Sequence, residues 1–250
     1  MEDGELIRRA EDLSARCART GSISHTLFLT PAEAFRIEQW ARCGAECTVL
    51  LHGGCEGAER RIAFFLPDWT DENDFDPAEY ICALEGVAAF GTPGHRDWLG
   101  AALALGIGRE WLGDILVEEN RAVLLCLSSV QQHLLLNLDK VGRCGVKLRP
   151  LPLDEITPPE RTLEERVFSV QSPRLDAVCA GTFRMSRAAA AEAIAAGLLS
   201  LNYSVCLKPD APVRKGDILS LRGKGKAVVL DTGSRASKKG RLFVKAGIYK

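Results

Sequence analysis

Residues 174–204 have the sequence RLDAVCAGTFRMSRAAAAEAIAAGLLSLNYS, which predicts two short helices followed by a strand. The first helix opens on the Arg-Leu-Asp triplet. Ser186 is a favoured N-cap residue for the second helix, and Gly197 is a favoured residue just beyond a helix end. The β-forming residues at 198–203 then predict a strand. The stretch therefore indicates a small module of mixed helix and sheet.

The same region carries most of the positive charge of the chain. The formal net charge is only −1, from 32 Lys and Arg against 33 Asp and Glu. Residues 174–250, however, hold 15 Lys and Arg and 5 Asp and Glu, whereas residues 1–173 hold 17 and 28. A basic module attached to an acidic body is typical of proteins that bind a polyphosphate such as RNA. A solvated basic surface without a partner is the alternative.

A basic loop with glycine spacing follows this stretch. A loop bounded by prolines and the sequence Val213-Arg214-Lys215-Gly216-Asp217 lead into a predicted strand, Ile218 to Leu221. Arg222-Gly223-Lys224-Gly225-Lys226 then places three cations on one loop, whose glycines permit close approach of the backbone. Taken alone, this loop is equally compatible with a solvated hairpin turn.

The module resembles the S-four domain, the RNA-binding module named after small-subunit ribosomal protein four. The matching elements are the triplet at 174–176, Ser186-Arg187-Ala188, Gly197-Leu198-Leu199, Asn202 and Lys215-Gly216-Asp217. Their spacing makes the match specific, although any single element would be weak. Two features depart from the pattern: Tyr203 stands where a turn glycine is usual, and the second helix is nearly all alanine.

We predict that this module binds structured RNA mainly through phosphate contacts. A helix N-terminus carries free N–H groups and partial positive charge, and Arg187 at that position adds a guanidinium that matches phosphate. No aromatic stacking platform is expected nearby. The predicted RNA-binding residues are Arg174, Ser186, Arg187, Lys208, Arg214, Lys215, Arg222, Lys224, Lys226, Arg235, Lys238, Lys239 and Arg241.

The middle of the chain predicts the order β-α-β-β-α-β. Strands are predicted at 80–90, 114–117, 122–127 and 146–151, with helices at 95–107 and 130–141. This is the arrangement of ferredoxin-like folds and RNA-recognition motifs. An RNA-recognition motif presents aromatic residues on its third strand, but the third strand here has no Phe or Tyr. We therefore do not expect this sheet to stack bases.

The N-terminal segment predicts two helices and a hairpin. Leu6, Ala10, Leu13 and Cys17 recur at helical spacing. Thr30-Pro31-Ala32-Glu33 has the pattern of a capping box at the start of a second helix. Two β-forming segments, 46–51 and 61–66, flank a glycine-rich turn and predict the hairpin.

These segments predict an α+β protein of three units. They are an N-terminal α/β domain with a hairpin (residues 1–75), a ferredoxin-like or RNA-recognition-motif-like middle domain (76–155), and a C-terminal S-four domain with a basic tail (173–250). Prolines followed by a charged stretch predict a linker over residues 156–172.

From Phe28 to the C-terminus, the chain resembles the bacterial YlmH family of RNA-binding proteins. The resemblance rests chiefly on Phe28-Leu29-Thr30-Pro31, His95-Arg96-Asp97-Trp98-Leu99-Gly100 and Lys239-Gly240-Arg241. It implies that the protein binds rRNA or tRNA on the ribosome. It also implies action on the large subunit, in quality control of stalled translation.

An RNA-modifying enzyme that uses an S-four domain for targeting is the alternative. The Arg-Leu-Asp triplet at 174–176 matches the catalytic triplet of pseudouridine synthases, but Ser186-Arg187 follows at S-four spacing. The sequence lacks the Gly-rich turn after a strand that a methyltransferase requires. We predict a non-enzymatic protein with no catalytic residue and no cofactor. His95 and Arg96 are predicted to make a secondary surface contact, to RNA or to the neighbouring domain, rather than to carry out acid–base chemistry.

Cysteine usage and the N-terminus predict a cytoplasmic protein. The nine cysteines are an odd number, and the group Cys43, Cys47 and Cys55 lacks the spacing of a zinc site. We expect free thiols and no metal. The first residues are acidic, unlike a signal peptide, and no apolar run is long enough to cross a membrane.

Overall fold

The computed structural model describes residues 3–70, 74–157, 163–233 and 241–249. The chain divides into two compact units, Met1–Pro159 and Glu160–Lys250. Each unit combines helices with antiparallel sheet, which confirms the predicted mixed α+β class. None of the helices in the described ranges has the length and apolar character needed to cross a membrane.

The first unit begins with two helices on a three-stranded antiparallel sheet of order β1-β3-β2. Its elements are α1 (Asp3–Thr20), β1 (Ser24–His25), α2 (Pro31–Arg42), β2 (Thr48–His52) and β3 (Ile62–Leu66). The predicted capping box is confirmed, because the Glu33 N–H donates to Thr30 Oγ1 at 3.3 Å and the Thr30 N–H donates to Glu33 Oε2 at 2.8 Å. The predicted hairpin is confirmed by the pairing of β2 with β3.

The predicted βαββαβ order of the middle segment is also confirmed. The elements are β4 (Ile81–Ala88), α3 (His95–Ala104), β5 (Leu112–Glu118), β6 (Arg121–Leu127), α4 (Ser128–Asn137), a short β7 (Lys140–Val141) and β8 (Cys144–Leu151). They form an antiparallel sheet of order β5-β6-β4-β8-β7. Trp98 of α3 and Leu134 of α4 pack with Leu84 and Leu124 on one face of this sheet.

The other face of the middle sheet packs against the first sheet. Alternate residues of β4 and β6, among them Ala83 and Leu125, share one apolar core with Phe28, Phe64 and Leu66. Because each sheet would otherwise expose an apolar face to water, residues 1–159 form one unit with two sheets. The three-unit layout is therefore not confirmed, and the boundary between residues 75 and 76 stays a prediction.

The C-terminal unit packs two helices on one face of a six-stranded antiparallel sheet. The elements are β9 (Leu163–Val170), α5 (Leu175–Phe183), α6 (Arg187–Ala195), β10 (Leu199–Leu201), β11 (Ser204–Val205), β12 (Ile218–Leu221), β13 (Gly225–Asp231) and β14 (Leu242–Tyr249). The sheet order is β11-β10-β12-β13-β14-β9. Val178 and Ile194 of the helices pack with Leu219 and Val244 in its core.

The structure differs from the predicted linker over residues 156–172. Within that range, β9 pairs with β14 from Leu163 to Val170 and forms an edge of the sheet. Phe168 packs into the core, where its ring lies against Gly181. Strands at a sheet edge often carry charged side chains. Because Glu164, Glu165 and Arg166 are charged, the composition of this strand resembles that of a linker.

Candidate nucleic-acid interface

Two arginines of the C-terminal unit converge on one buried carboxylate. Asp176, in the first turn of α5, is 6% exposed. Arg187 Nη2 lies 2.5 Å from its Oδ2 atom, and Arg174 Nε lies 3.4 Å from its Oδ1 atom. The side chains of Arg174 and Arg187 are nevertheless 45% and 60% exposed. The carboxylate therefore positions two guanidinium groups at the surface.

The ionisation of Asp176 is coupled to this arrangement. Burial by itself would raise the pKa of this carboxyl group. Hydrogen bonds from Arg187 and from the Ala177 N–H, together with the charges of Arg187 and Arg174, lower the pKa below the ordinary value for aspartate. At neutral pH the carboxylate is therefore charged and holds both arginines.

Ser186 caps α6, as the sequence predicts. Its hydroxyl accepts a hydrogen bond of 3.1 Å from the Ala189 N–H, and its backbone is extended. Arg187 is therefore the first residue of a nine-residue helix, where the helix dipole favours an anion. Arg187 also lines a groove of about 440 Å³ together with Arg241 and Ser169. Arg241 donates to the Ser169 carbonyl at 2.8 Å.

A loop that carries three further cations lies against the start of α5. The N–H groups of Leu175 and Asp176 donate to the carbonyls of Ala211 and Pro209, each at 2.9 Å. These loop carbonyls occupy N–H groups that would otherwise be free at the start of α5. The exposed cations on this loop are Lys208, Arg214 and Lys215.

The turn between β12 and β13 places Arg222 and Lys224 in solvent. The Arg222 N–H donates to the Leu198 carbonyl at 3.0 Å, just beyond the C-terminal end of α6. Arg187 begins the same helix. The two predicted main contacts therefore lie toward opposite ends of α6, which is roughly 12 Å long at about 1.5 Å per residue. They form two ends of a surface rather than one cluster.

Lys226 does not belong to the glycine-spaced loop. It is the second residue of β13, and its ammonium group lies 5.2 Å from the ring centroid of Tyr203 and 5.3 Å from that of Tyr249. The expectation of three cations on one loop is wrong. Two tyrosine rings lie beside the third cation, in a region where the sequence predicts no aromatic stacking platform. The sequence signal for this cluster was Tyr203 itself, in a position where a glycine is usual.

Tyr203 follows Asn202 in a left-handed turn between β10 and β11. The φ angles of these residues are 50° for Asn202 and 67° for Tyr203. Asn202 Nδ2 donates to Asp217 Oδ1 at 2.9 Å, and Asn202 Oδ1 accepts from the Ile218 N–H at 2.9 Å. Asp217 also accepts from the Arg214 N–H at 2.7 Å. One hydrogen-bond network therefore positions both this turn and the basic loop.

The remaining predicted residues lie elsewhere. Arg235, Lys238 and Lys239 fall outside the described residues. His95 and Arg96 are exposed in the first turn of α3, in the first unit.

The face of the middle sheet that carries Ala83 and Leu125 is largely buried. Much of this face is covered by the first sheet, around Ala83 and Leu125. Beyond that core, the buried carboxylate of Glu85 pairs with the exposed Arg121 and Arg149. That this sheet does not stack bases stays a prediction.

Three comparisons relate the chain to known proteins. Residues 71–155 match a family model described as "Putative RNA-binding domain in YlmH". Over 184 residues, the chain is 31% identical to the ribosome-associated protein quality control protein P2 of Bacillus subtilis. The aligned region covers 73% of this chain and 71% of that protein. A solved structure, cell division protein ylmH from Streptococcus pneumoniae, is 22% identical with a TM-score of 0.49, over 63% of this chain and 96% of that one. On the identity to the Bacillus subtilis protein and the matching family model, this chain belongs to the YlmH family.

Proposed function

We propose that this protein is a non-enzymatic RNA-binding protein that acts on the ribosome. Its ligand is structured rRNA or tRNA of the large subunit, and its role is quality control of stalled translation. The proposal is supported by the family model for residues 71–155, whose name specifies RNA binding, and by the name of the Bacillus subtilis relative. The protein acts in the cytoplasm and uses no cofactor.

The observation that carries this proposal is the pair of arginines on Asp176. A buried carboxylate that holds two exposed guanidinium groups preorganises them, so that little side-chain entropy is lost when phosphate binds. Arg187 adds its charge to the N-terminus of α6. Together these features provide a phosphate site on a rigid helix.

The RNA backbone runs from this site across the surface of the C-terminal unit. At one end lie Arg187, Arg174 and the loop with Lys208, Arg214 and Lys215. At the other end lie Arg222 and Lys224, beyond the end of α6. The length of α6, roughly 12 Å, is close to that of three to four base pairs along a duplex at about 3.4 Å each. Arg241, which lines the groove beside Arg187, extends the same basic surface.

The first unit makes a secondary contact through His95 and Arg96. These side chains are exposed at the N-terminus of α3, on the helical side of the middle sheet. The opposite side of that sheet is largely occupied by the first sheet. RNA therefore approaches the middle segment from its helices.

Sedimentation with purified ribosomal subunits tests this proposal. The full chain is expected to sediment with the large subunit at low salt, and crosslinks are expected from the C-terminal unit to rRNA or tRNA. Sedimentation with neither subunit would contradict the proposal.

A second assay separates binding from catalysis. Ribosomal RNA is incubated with a substoichiometric amount of the protein, with and without S-adenosylmethionine, and its nucleosides are then analysed. We expect no modified nucleoside. More than one modified nucleoside per protein molecule would establish the RNA-modifying alternative.

A further inference from the structure

We propose that Tyr203, Lys226 and Tyr249 form a stacking site for an unpaired nucleobase on the outer face of the C-terminal sheet. This inference rests on the proposed RNA-binding function and adds a second kind of contact to it. The phosphate contacts described above carry no information about the base. A stacking site distinguishes RNA with a free base from a fully paired duplex.

The strand register places two of these residues on the outer face. Ala227 of β13 lies opposite Ile248 of β14, and both side chains point into the core beneath the helices. Because side chains alternate along a strand, the neighbouring Lys226 and Tyr249 point to the opposite face. No helix of the described C-terminal unit packs on that face.

Tyr203 reaches the same place from the turn between β10 and β11. The ammonium of Lys226 lies within about 5.3 Å of both ring centroids, which is a cation–π arrangement. All three side chains are partly exposed. Two aromatic rings and one cation are therefore gathered where RNA has access.

The backbone at Tyr203 indicates a role beyond packing. Its φ angle of 67° is in the left-handed region, which is unfavourable for a bulky side chain and easy for glycine. Asn202, which is anchored by Asp217 and the Ile218 N–H, holds the turn in this conformation. Strained residues of this kind cluster at ligand-binding sites, because the surrounding structure must maintain them.

The chemistry of the cluster fits a nucleotide. An aromatic ring stacks on any base, and a lysine beside it pairs with the phosphate of the same nucleotide. A base enters the space over the Tyr203 ring that the Lys226 ammonium occupies in the free protein. The ammonium then moves from the rings to the phosphate.

Binding of two RNA hairpins to the full chain tests this inference. Both hairpins share the same compact loop, whose bases stack on one another; the stem of one carries a single bulged adenine, and the stem of the other is fully paired. Wild type is expected to bind the bulged hairpin several-fold more tightly. Tyr203→Gly is expected to lose roughly 5- to 150-fold in affinity for the bulged hairpin, the range for one stacked base. The salt slope should not change, because no ionic contact is removed.

Further variants separate stacking from structure. Tyr203→Phe keeps the ring and is expected to bind like wild type. Tyr203→Gly relieves the left-handed strain, so its melting temperature is expected to be equal to or above that of wild type. Glu119→Gly is the matched control: Glu119 has a φ angle of 51° in an exposed turn of the first unit, and its replacement should leave the preference for the bulge intact.

Different results would refute the stacking site and the proposed RNA-binding function. The stacking site is refuted if wild type binds both hairpins equally, or if Tyr203→Gly keeps the preference. It is also refuted if Tyr203→Gly weakens binding to both hairpins while the melting temperature falls, since that is the behaviour of a purely structural residue. Binding of neither hairpin by wild type at low salt would instead contradict the proposed RNA-binding function.

Discussion

Arg187 donates a hydrogen bond of 2.5 Å to Asp176, although the two residues belong to different helices. The bond joins the first residue of α6 to the first turn of α5. Asp176 is buried, whereas most of the Arg187 side chain remains in solvent. This pair therefore links the packing of the two helices to the presentation of a cation at the surface.

Replacement of Asp176 by Asn should destabilise the C-terminal unit by about 1–3 kcal/mol, because a buried acceptor loses its charge-assisted hydrogen bonds. The pKa of Asp176 is lowered in the folded state relative to about 3.9 in an unfolded chain. Its stabilising contribution is therefore present above pH 4 and is lost as the pH falls through the folded-state pKa.

Urea unfolding of wild type and Asp176→Asn between pH 2 and pH 7 measures this contribution. The difference in unfolding free energy is expected to be largest near neutral pH and to shrink under acid. A difference that stays constant over the whole range would show that the charge of Asp176 does not stabilise the fold.

A fragment of residues 160–250 should fold and retain most of the RNA affinity, because it contains the complete six-stranded sheet and the basic surface. A fragment of residues 172–250 lacks β9, leaves β14 paired on one side only and exposes the core around Gly181. We expect the shorter fragment to melt at a lower temperature and to aggregate. Circular dichroism and light scattering compare the two fragments, and equal stability would contradict the placement of β9.

The cysteines should differ strongly in their reactivity as thiols. Cys43 is exposed. Burial raises the pKa of Cys126 to about 12 and that of Cys179 to about 11. At pH 8 we therefore expect a thiol reagent to label Cys43 first and to reach Cys126 and Cys179 only after unfolding.

Mass spectrometry of the labelled protein identifies these positions. After unfolding without reductant, all nine cysteines are expected to react. Fewer reactive thiols, or zinc bound in a stoichiometric amount, would contradict the prediction of free cysteines.

Features that depend on neighbouring residues were predicted well from the sequence. The capping box at Thr30 and Glu33, the N-cap at Ser186 and the βαββαβ order all follow from local spacing. The pairing of Arg187 with Asp176 could not be read in this way, because it depends on how two helices pack. The triplet at 174–176 nevertheless contains Arg174 and Asp176, two of the three residues of this contact.

Features that depend on distant contacts were missed. The first sheet and the middle sheet share a core because each has one apolar face that its own helices leave uncovered. The alternation of apolar residues along a strand shows that one face is buried, but it does not identify the sheet that covers this face. Strand β9 carries charges that resemble those of a linker until β14 is placed beside it. Lys226 comes near Tyr249 because β13 pairs with β14. This pairing joins residues that are distant in the sequence, so the sequence alone assigned Lys226 to the preceding loop.

The salt dependence of RNA binding tests most directly the claim that the C-terminal basic surface binds RNA. Wild type is compared with Arg222→Ala/Lys224→Ala and with Arg187→Gln, which keeps a hydrogen-bond donor for Asp176 but removes the charge. Arg42→Ala, an exposed cation of the first unit that pairs with Glu38, is the control. The probe is a structured fragment of large-subunit rRNA.

Each lost phosphate contact should weaken binding and reduce the slope of log affinity against log salt by about one unit. We expect a slope lower by about two units for the double variant and by about one unit for Arg187→Gln, with no change for Arg42→Ala. Affinities and slopes equal to those of wild type in both test variants would contradict RNA binding by the C-terminal basic surface and place the RNA on another face of the protein.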